Sequence, residues 1–179
     1  GEGKWLSHRD ATDAAIALEP TQIVGIDMSG CMLTDELLAQ LVHFENLQSL
    51  DLSNTPLRSL EFLPKLSQLT SLSLRRSQLN SLSVLRNVES LQYLDLSHSP
   101  FDSSIAATLA SAKQLQSLDL SGTLVDRFLL DELTELPQLK KLNLSQTKVL
   151  AEEIESFSKS HPTISVDAQT SRVDSSQPE

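Results

Sequence analysis

Aliphatic residues recur along the chain in a fixed pattern, and polar residues alternate with them. The six full copies of this pattern are IVGIDMSGCML, LQSLDLSNTPL, LTSLSLRRSQL, LQYLDLSHSPF, LQSLDLSGTLV and LKKLNLSQTKV, and they begin at residues 23, 47, 69, 91, 115 and 139. The starts are 24, 22, 22, 24 and 24 residues apart, and a degenerate copy, TISVDA, begins at Thr163. Self-similarity at this period predicts a solenoid of stacked repeats.

The centre of each copy predicts a half-buried β-strand. The fourth and sixth positions are apolar, as Leu50 and Leu52 show, and a polar residue such as Asp51 lies between them. This period of two places leucine on one face of a strand and polar residues on the other. Equivalent strands of successive repeats then stack ~4.8 Å apart in a parallel sheet. One repeat cannot bury its own apolar face, whereas a stack of repeats can.

The second half of each repeat predicts the connection between strands. The 24-residue repeats carry helical patterns with capping residues, and the 22-residue repeats carry shorter segments that suit a tight turn or a 3₁₀-helix. The helical segments are TDELLAQLVHF from Thr34, DSSIAATLASA from Asp102, DRFLLDELTEL from Asp126 and AEEIESFSKS from Ala151, and the shorter ones are SLEFLPKL from Ser59 and SLSVLRNV from Ser81.

The two ends of the chain differ from the repeats. Residues 1–22 predict an N-terminal helical cap, in which Ser7 or Asp10 starts a helix that Pro20 ends. We expect Trp5 to cover the exposed end of the first repeat. The repeat domain then covers residues 23–168, and the polar, aperiodic residues 169–179 predict a disordered tail.

The repeated pattern resembles that of the leucine-rich-repeat family, L-x-x-L-x-L-x-x-N/C-x-L. The resemblance implies an α/β solenoid, a curved right-handed superhelix with a parallel sheet on its concave face and helices and 3₁₀ turns on its convex face. The ninth position departs from the family's usual asparagine, although small side chains there can still bond to the turn backbone. Its residues are Cys31, Thr55, Ser77, Ser99, Thr123 and Thr147. This usage and the mixed repeat lengths resemble bacterial members of the family.

Composition narrows the classes of partner. The chain has 14 Lys and Arg against 24 Asp and Glu, a net charge of −10, which disfavours binding to nucleic acids and to anionic membranes. No apolar run approaches the ~18 residues of a membrane span, so we expect no membrane insertion. A single cysteine, Cys31, excludes an internal disulfide and is read as a structural residue of its repeat. We expect a monomer without a cofactor, in a compartment that the sequence leaves open.

One patch on the predicted concave face departs from the small, uniform residues around it. Arg75 and Arg76 replace the Ser-Asn or Ser-Gly of other repeats, and Tyr93 and His98 lie in the next repeat. Neighbouring strands should bring these residues within about 10 Å of one another. Tyr and Arg are frequent anchors of protein interfaces. The predicted partner-binding residues are Arg75, Arg76, Tyr93 and His98, with Asp51, Asp95 and Asp119 setting charge complementarity.

Three other interpretations of these residues remain open. Arg75 and Arg76 can simply neutralise Asp51 and Asp95, which is worth ~0.2–1 kcal/mol for exposed pairs. The column of aspartates can hold a cation, although two carboxylates fall short of a full oxygen shell. A nucleophilic site from Ser97 or Ser121, His98 and Asp95 is disfavoured because no G-x-S-x-G elbow accompanies it.

The sequence therefore predicts a non-enzymatic module that binds a protein or peptide on its concave face. One alternative is a structural spacer or brace within a larger protein. Another is the substrate-recognition part of a protein whose catalytic domain lies elsewhere. The acidic helices around Glu132 and Glu153 are read as a solvated convex face, with electrostatic docking as the lesser possibility.

Overall fold

The computed structural model describes residues 3–7, 20–79 and 81–169, and within these ranges eight short strands form one parallel sheet. The strands are β1 Lys4–Leu6, β2 Ile23–Asp27, β3 Ser49–Asp51, β4 Ser71–Ser73, β5 Tyr93–Asp95, β6 Ser117–Asp119, β7 Lys141–Asn143 and β8 Ser165–Asp167. They lie in the sheet in the order in which they follow along the chain. This arrangement confirms the predicted solenoid, in which each repeat packs between its sequence neighbours.

The connections between strands follow repeat length as predicted. The helices of the 24-residue repeats are α1 Asp35–Gln40, α2 Ala106–Leu109, α3 Phe128–Leu133 and α4 Ala151–Ser160. The 22-residue repeats have only 3₁₀ turns, at Leu63–Lys65 and Ser83–Asn87. Further 3₁₀ turns lie at Pro20–Gln22, Leu41–His43 and Ser103–Ile105. The two kinds of repeat therefore differ at the back of the repeat, while their strands have the same length from β3 to β7.

Side-chain oxygens begin several of these helical segments. Thr34 Oγ1 accepts a hydrogen bond from the Leu37 backbone N–H, and Asp102 Oδ1 accepts one from the Ser104 N–H at 2.9 Å. Such residues satisfy N–H groups that have no partner within the helix. The hydrogen bonds from Ser104 also hold the pKa of Asp102 below its usual value.

Leucines at the fourth position of each repeat form the centre of the core. Leu50, Leu72, Leu94 and Leu118 lie opposite one another on adjacent strands, and none is more than 3% exposed. They belong to one cluster that runs without interruption from Leu6 to Phe157. The core is therefore a continuous column, in which each leucine layer covers the next.

The backbone binds each repeat to the following one. The Met28 N–H donates to the carbonyl of Asp51 at 2.9 Å, and the Leu52 N–H donates in the same way to Ser73. Equivalent bonds join the sixth position of each later repeat to the fifth position of its successor. The ladder of backbone hydrogen bonds therefore continues one residue beyond the end of each strand.

The N-terminal segment differs from its prediction in two respects, of which the first is a strand within the predicted helical cap. Strand β1 pairs with β2 and closes the sheet with Leu6, which is 3% exposed. Trp5, expected to cover the end of the first repeat, lies instead on the outer face of the sheet, where it is 61% exposed. Most of the predicted N-terminal helix and of the predicted tail, residues 8–19 and 170–179, lies outside the described residues.

Truncating the central leucine tests the stacked core. We expect Leu94→Ala to lower the free energy of unfolding by about 2–5 kcal/mol, because it opens a cavity between two leucine layers. Urea denaturation followed by circular dichroism measures this change. The matched control is Leu124→Ala, at a leucine that is 45% exposed, where we expect a change within about 0.5 kcal/mol. Equal losses in the two variants would contradict the layered core.

Candidate protein-binding surface

Two rows of side chains cover the outer face of the sheet, which is the predicted concave face. Backbone register aligns the third positions of the repeats in one row and the fifth positions in another. The third-position row is Gly25, Ser49, Ser71, Tyr93, Ser117 and Lys141, and the fifth-position row is Asp27, Asp51, Ser73, Asp95, Asp119 and Asn143. The structure therefore brings Tyr93, Asp51, Asp95 and Asp119 onto one surface.

The aspartates of the fifth-position row have a structural task. Asp51 Oδ1 accepts a hydrogen bond from the Ser53 backbone N–H at 2.8 Å, and Asp95 does the same for Ser97. An aspartate that bonds the backbone two residues on stabilises a turn. The second carboxylate oxygen of Asp51 has no hydrogen-bond partner among the described residues. Each of these aspartates thus stabilises the turn after its strand with one carboxylate oxygen, and its negative charge lies on the sheet face.

The aspartate row also has side-chain contacts between repeats. Asp95 Oδ2 accepts a hydrogen bond from Ser73 Oγ at 3.3 Å, and Asp119 Oδ2 accepts one from Asn143 Nδ2 at 3.0 Å. All of these donors are neutral, so the carboxylates keep their charge uncompensated by a cation. The row is consequently an acidic strip along the sheet.

Arg75 and Arg76 lie beyond the carboxyl end of β4, and both side chains are exposed. Neither makes an ion pair within residues 3–7, 20–79 and 81–169, where the only ion pair joins Lys159 to Glu155 on α4. The alternative that the arginines neutralise Asp51 and Asp95 is therefore not supported by an ion pair between these side chains. Both guanidinium groups are available to an external anion.

Arg76 and His98 share the eighth position of their repeats, which has an unusual backbone. The φ angle there is 55° at Arg76 and 56° at His98, in the left-handed region. The Arg76 N–H donates to the carbonyl of Ser97 in the next repeat at 2.9 Å, so the conformation extends the ladder around the end of the strand. The same region holds Gly30, Asn54, Gly122 and Gln146. Residues other than glycine enter it at a cost of roughly 1–2 kcal/mol.

The imidazole of His98 lies against the next repeat. A Cβ atom placed on Gly122 would meet His98 Nδ1 at 2.5 Å, so the ring occupies space that only glycine leaves open. Tyr93, one strand away from Ser71 and Ser117, is 48% exposed. The predicted patch therefore presents a phenol ring, an imidazole and two guanidinium groups on neighbouring repeats.

The structure does not assemble the nucleophilic site. The Ser97 side chain is 2% exposed, and its backbone N–H, rather than its hydroxyl, bonds to Asp95. In the part of the chain that is described, the His98 imidazole makes no hydrogen bond to the hydroxyl of Ser97 or Ser121, and only the backbone N–H of His98 bonds to the Ser121 carbonyl, at 2.7 Å. In the same ranges no three His, Cys, Asp or Glu side chains converge as metal ligands.

Small residues at the ninth position play the local role that their chemistry predicts. Thr55 Oγ1 donates to the carbonyl of Leu52 at 2.6 Å, and Thr123 and Thr147 make the same bond in their repeats. Partial burial and the negative charge of Asp27 raise the pKa of the Cys31 thiol, which makes the reactive thiolate scarcer. Both observations agree with a structural role for this column.

Sequence reasoning missed Trp5 as a residue of this surface. Its ring packs on Gly25, where a Cβ atom would overlap the indole. Trp5 also borders a depression of about 360 Å³, whose other lining residues include Asp51, Ser49 and Ser71. The missing signal was strand β1, since Lys4–Leu6 is too short to show the leucine pattern of the repeats.

Comparisons with known proteins agree with this architecture. The family model described as Leucine Rich Repeat matches residues 46–67 and 90–112. A sequence search of curated proteins gives no significant match. The chain has the leucine-rich-repeat fold, since two of its repeats match the family model and solved structures share its parallel-strand solenoid.

Several solved structures resemble the fold. An internalin, InlF, from Listeria monocytogenes is 20% identical with a TM-score of 0.65, and the match covers 85% of this chain and 49% of that one. Internalin C2 from the same organism is 24% identical with a TM-score of 0.62, covering 86% and 66%. The mouse RP105/MD-1 complex matches at 18% identity and a TM-score of 0.63, covering 86% and 26%. At these identities the likeness shows the fold, and this chain spans about half to two thirds of the internalin chains.

No helix within the described ranges is both long enough and apolar enough to cross a bilayer.

Replacing one aspartate separates its structural role from its charge. We expect Asp51→Ala to lower the free energy of unfolding by about 1 kcal/mol, because the Ser53 N–H loses its acceptor. Asp51→Asn should stay within about 0.5 kcal/mol of wild type, since Asn143 Oδ1 makes the same bond to the Ser145 N–H. Urea denaturation measures both. If the alanine and asparagine variants were equally stable, the turn bond would not contribute.

A pair of glycine substitutions tests the eighth position. We expect Gly30→Ala and Gly122→Ala each to lower the free energy of unfolding by roughly 1–2 kcal/mol, because both glycines have positive φ. Only the second should also displace the His98 ring, since nothing lies within 4 Å of a Cβ atom at Gly30. Urea denaturation gives the first effect, and the NMR signals of the His98 imidazole give the second. An unchanged His98 signal in Gly122→Ala would contradict the contact.

Proposed function

We propose that the chain is a non-enzymatic interaction module that binds a protein or peptide on the outer, concave face of its sheet. Leucine-rich-repeat domains of this fold are typically protein-binding domains. The observation that carries the proposal is the exposed pair Arg75 and Arg76, which no described acidic side chain neutralises, together with the exposed ring of Tyr93 on the next repeat. Arginine and tyrosine are the side chains that most often anchor interfaces.

Charge on the two parts of this face defines a complementary partner. The arginines stand at the carboxyl edge of the sheet, while Asp51, Asp95 and Asp119 form the acidic strip beside it. A partner with acidic groups opposite the arginines and basic groups opposite the strip would bind with the most favourable electrostatics. Such patterning fixes orientation and selects against wrong partners more than it adds affinity.

Backbone strain supports a role for Arg76 and His98. Gly30 and Gly122 occupy the equivalent position without steric cost, so the fold itself has no need of the larger side chains. Strained residues that persist in a structure point towards function. Contact with a partner supplies the compensating interaction for the guanidinium and the imidazole.

The two alternatives make different predictions about these residues. In a structural spacer, removal of exposed side chains from the sheet face changes no interaction, and only core substitutions matter. In a substrate-recognition part of a larger enzyme, the same face binds the substrate, so its removal again abolishes binding. The test below therefore separates the spacer from both binding roles.

Affinity capture from a lysate of the source organism tests the proposal. We expect wild type to retain a partner that the variant Arg75→Ala/Arg76→Ala/Tyr93→Ala loses, because the variant lacks both exposed cations and the aromatic anchor. The matched control is Arg58→Ala/Arg86→Ala/Phe128→Ala, which removes the same charge and an exposed ring elsewhere. Mass spectrometry compares the captured proteins, and circular dichroism confirms that all three chains are folded.

Each outcome has a distinct meaning. Loss in the sheet-face variant alone supports the interaction module and locates its site. Identical capture by all three chains contradicts the proposed patch. Capture by none favours the structural spacer.

A further inference from the structure

Two exposed aromatic rings stand in a single row across the outer face of the sheet. Backbone register aligns Trp5, Gly25, Ser49, Ser71 and Tyr93 on five successive strands, and we call this row the aromatic trough. Trp5 is 61% exposed and Tyr93 is 48% exposed. Large exposed aromatics are unusual on a surface that otherwise carries serine and aspartate, and they mark interaction sites.

The floor between the rings admits a close approach to the sheet. Gly25 has no side chain, and Ser49 and Ser71 have small ones. Four strand spacings separate the two aromatic residues, a distance of about 19 Å. An extended segment of roughly six residues spans that distance. The trough therefore has the length and width of a short peptide strand laid across the repeats.

Negative charge at both ends of the trough favours a peptide segment with cationic side chains. The depression at the Trp5 end is also lined by Asp51, and Asp95 lies two residues from Tyr93 on the same face of β5. Neither carboxylate has a cationic partner among the described residues. The faces of tryptophan and tyrosine rings attract ammonium and guanidinium groups. Both ends of the trough thus combine an aromatic ring with an uncompensated carboxylate.

We propose that the aromatic trough binds an extended segment of a protein partner that carries lysine or arginine side chains. One cation lies between Trp5 and Asp51, and another lies between Tyr93 and Asp95, with the backbone over the small residues between them. An acidic segment is repelled by both carboxylates. This inference deepens the proposed function and rests on it, because it assigns the chemistry of the segment that faces the acidic strip.

The sequence offers a fluorescent reporter of binding, and it shows which substitution removes the charge of an aspartate without breaking its turn. Trp5 is the only tryptophan, so tryptophan fluorescence reports on one end of the trough. Asn143 bonds to the Ser145 N–H as the aspartates bond to theirs, so Asp51→Asn/Asp95→Asn removes charge and keeps the turns. Asp131→Asn/Glu152→Gln makes the same change in net charge at exposed positions on α3 and α4.

The experiment titrates the whole chain with a synthetic hexapeptide of alternating serine and lysine. We expect a saturable change in Trp5 fluorescence, and no saturable change with the matching peptide of serine and glutamate. Asp51→Asn/Asp95→Asn should weaken binding of the lysine peptide about tenfold, the combined effect of two exposed ion pairs. Asp131→Asn/Glu152→Gln should bind it like wild type.

Three results would overturn the proposal. They are no saturable response to the lysine peptide, an equal response to the glutamate peptide, and equal weakening in the two charge variants. Suppose that one of these results occurred, and that the variant Arg75→Ala/Arg76→Ala/Tyr93→Ala still failed to capture the partner that wild type captures. The proposed trough would then be wrong, and the proposed interaction module would still be supported. A saturable lysine response without any captured partner would support the trough and leave the proposed roles of Arg75 and Arg76 unsupported.

Discussion

The backbone ladder between successive repeats is the constraint on which the rest of the structure depends. The Leu52 N–H donates to the carbonyl of Ser73, and the Asn54 N–H donates to that of Arg75. The same two bonds recur at almost every junction between repeats, so the backbone at the sixth and eighth positions must hold one geometry throughout. Leucine layers can stack only because this ladder keeps the repeats in register.

Much of the polar chemistry on the sheet face follows from that ladder. The chain must turn away from the sheet after the sixth position of each repeat. Asp51 and its equivalents stabilise this turn by accepting a hydrogen bond from the backbone N–H of the seventh residue. The turn also requires left-handed backbone at the eighth position. The fifth-position aspartates and the left-handed backbone at the eighth position are therefore explained by the fold, without requiring any role in binding. The residues that the ladder does not explain, Arg75, Arg76 and Tyr93, are the ones on which binding is proposed.

The fold was accessible from sequence because its signal is repeated. Every copy places leucine at the same positions, and repeat length alone separated the helical backs from the 3₁₀ turns. Features that occur once gave no such signal. Strand β1 has three residues and no leucine pattern, so the position of Trp5 on the sheet face was missed. Gly30, Asn54 and Gly122 hinted at left-handed backbone, but Arg76 and His98 in the same column concealed it. Whether the arginines pair with aspartates depends on side-chain geometry, which no pattern of residue types specifies.

Because the ladder uses only main-chain atoms, the third position of each repeat is bound to its neighbours without depending on its side chain. Ser49, Ser71, Tyr93 and Lys141 occupy equivalent places in the same sheet, although they differ in size, polarity and charge. Folding therefore places little selective pressure on these positions. A lineage that carries this chain can change the chemistry of this face by single substitutions, without passing through an unstable ancestor.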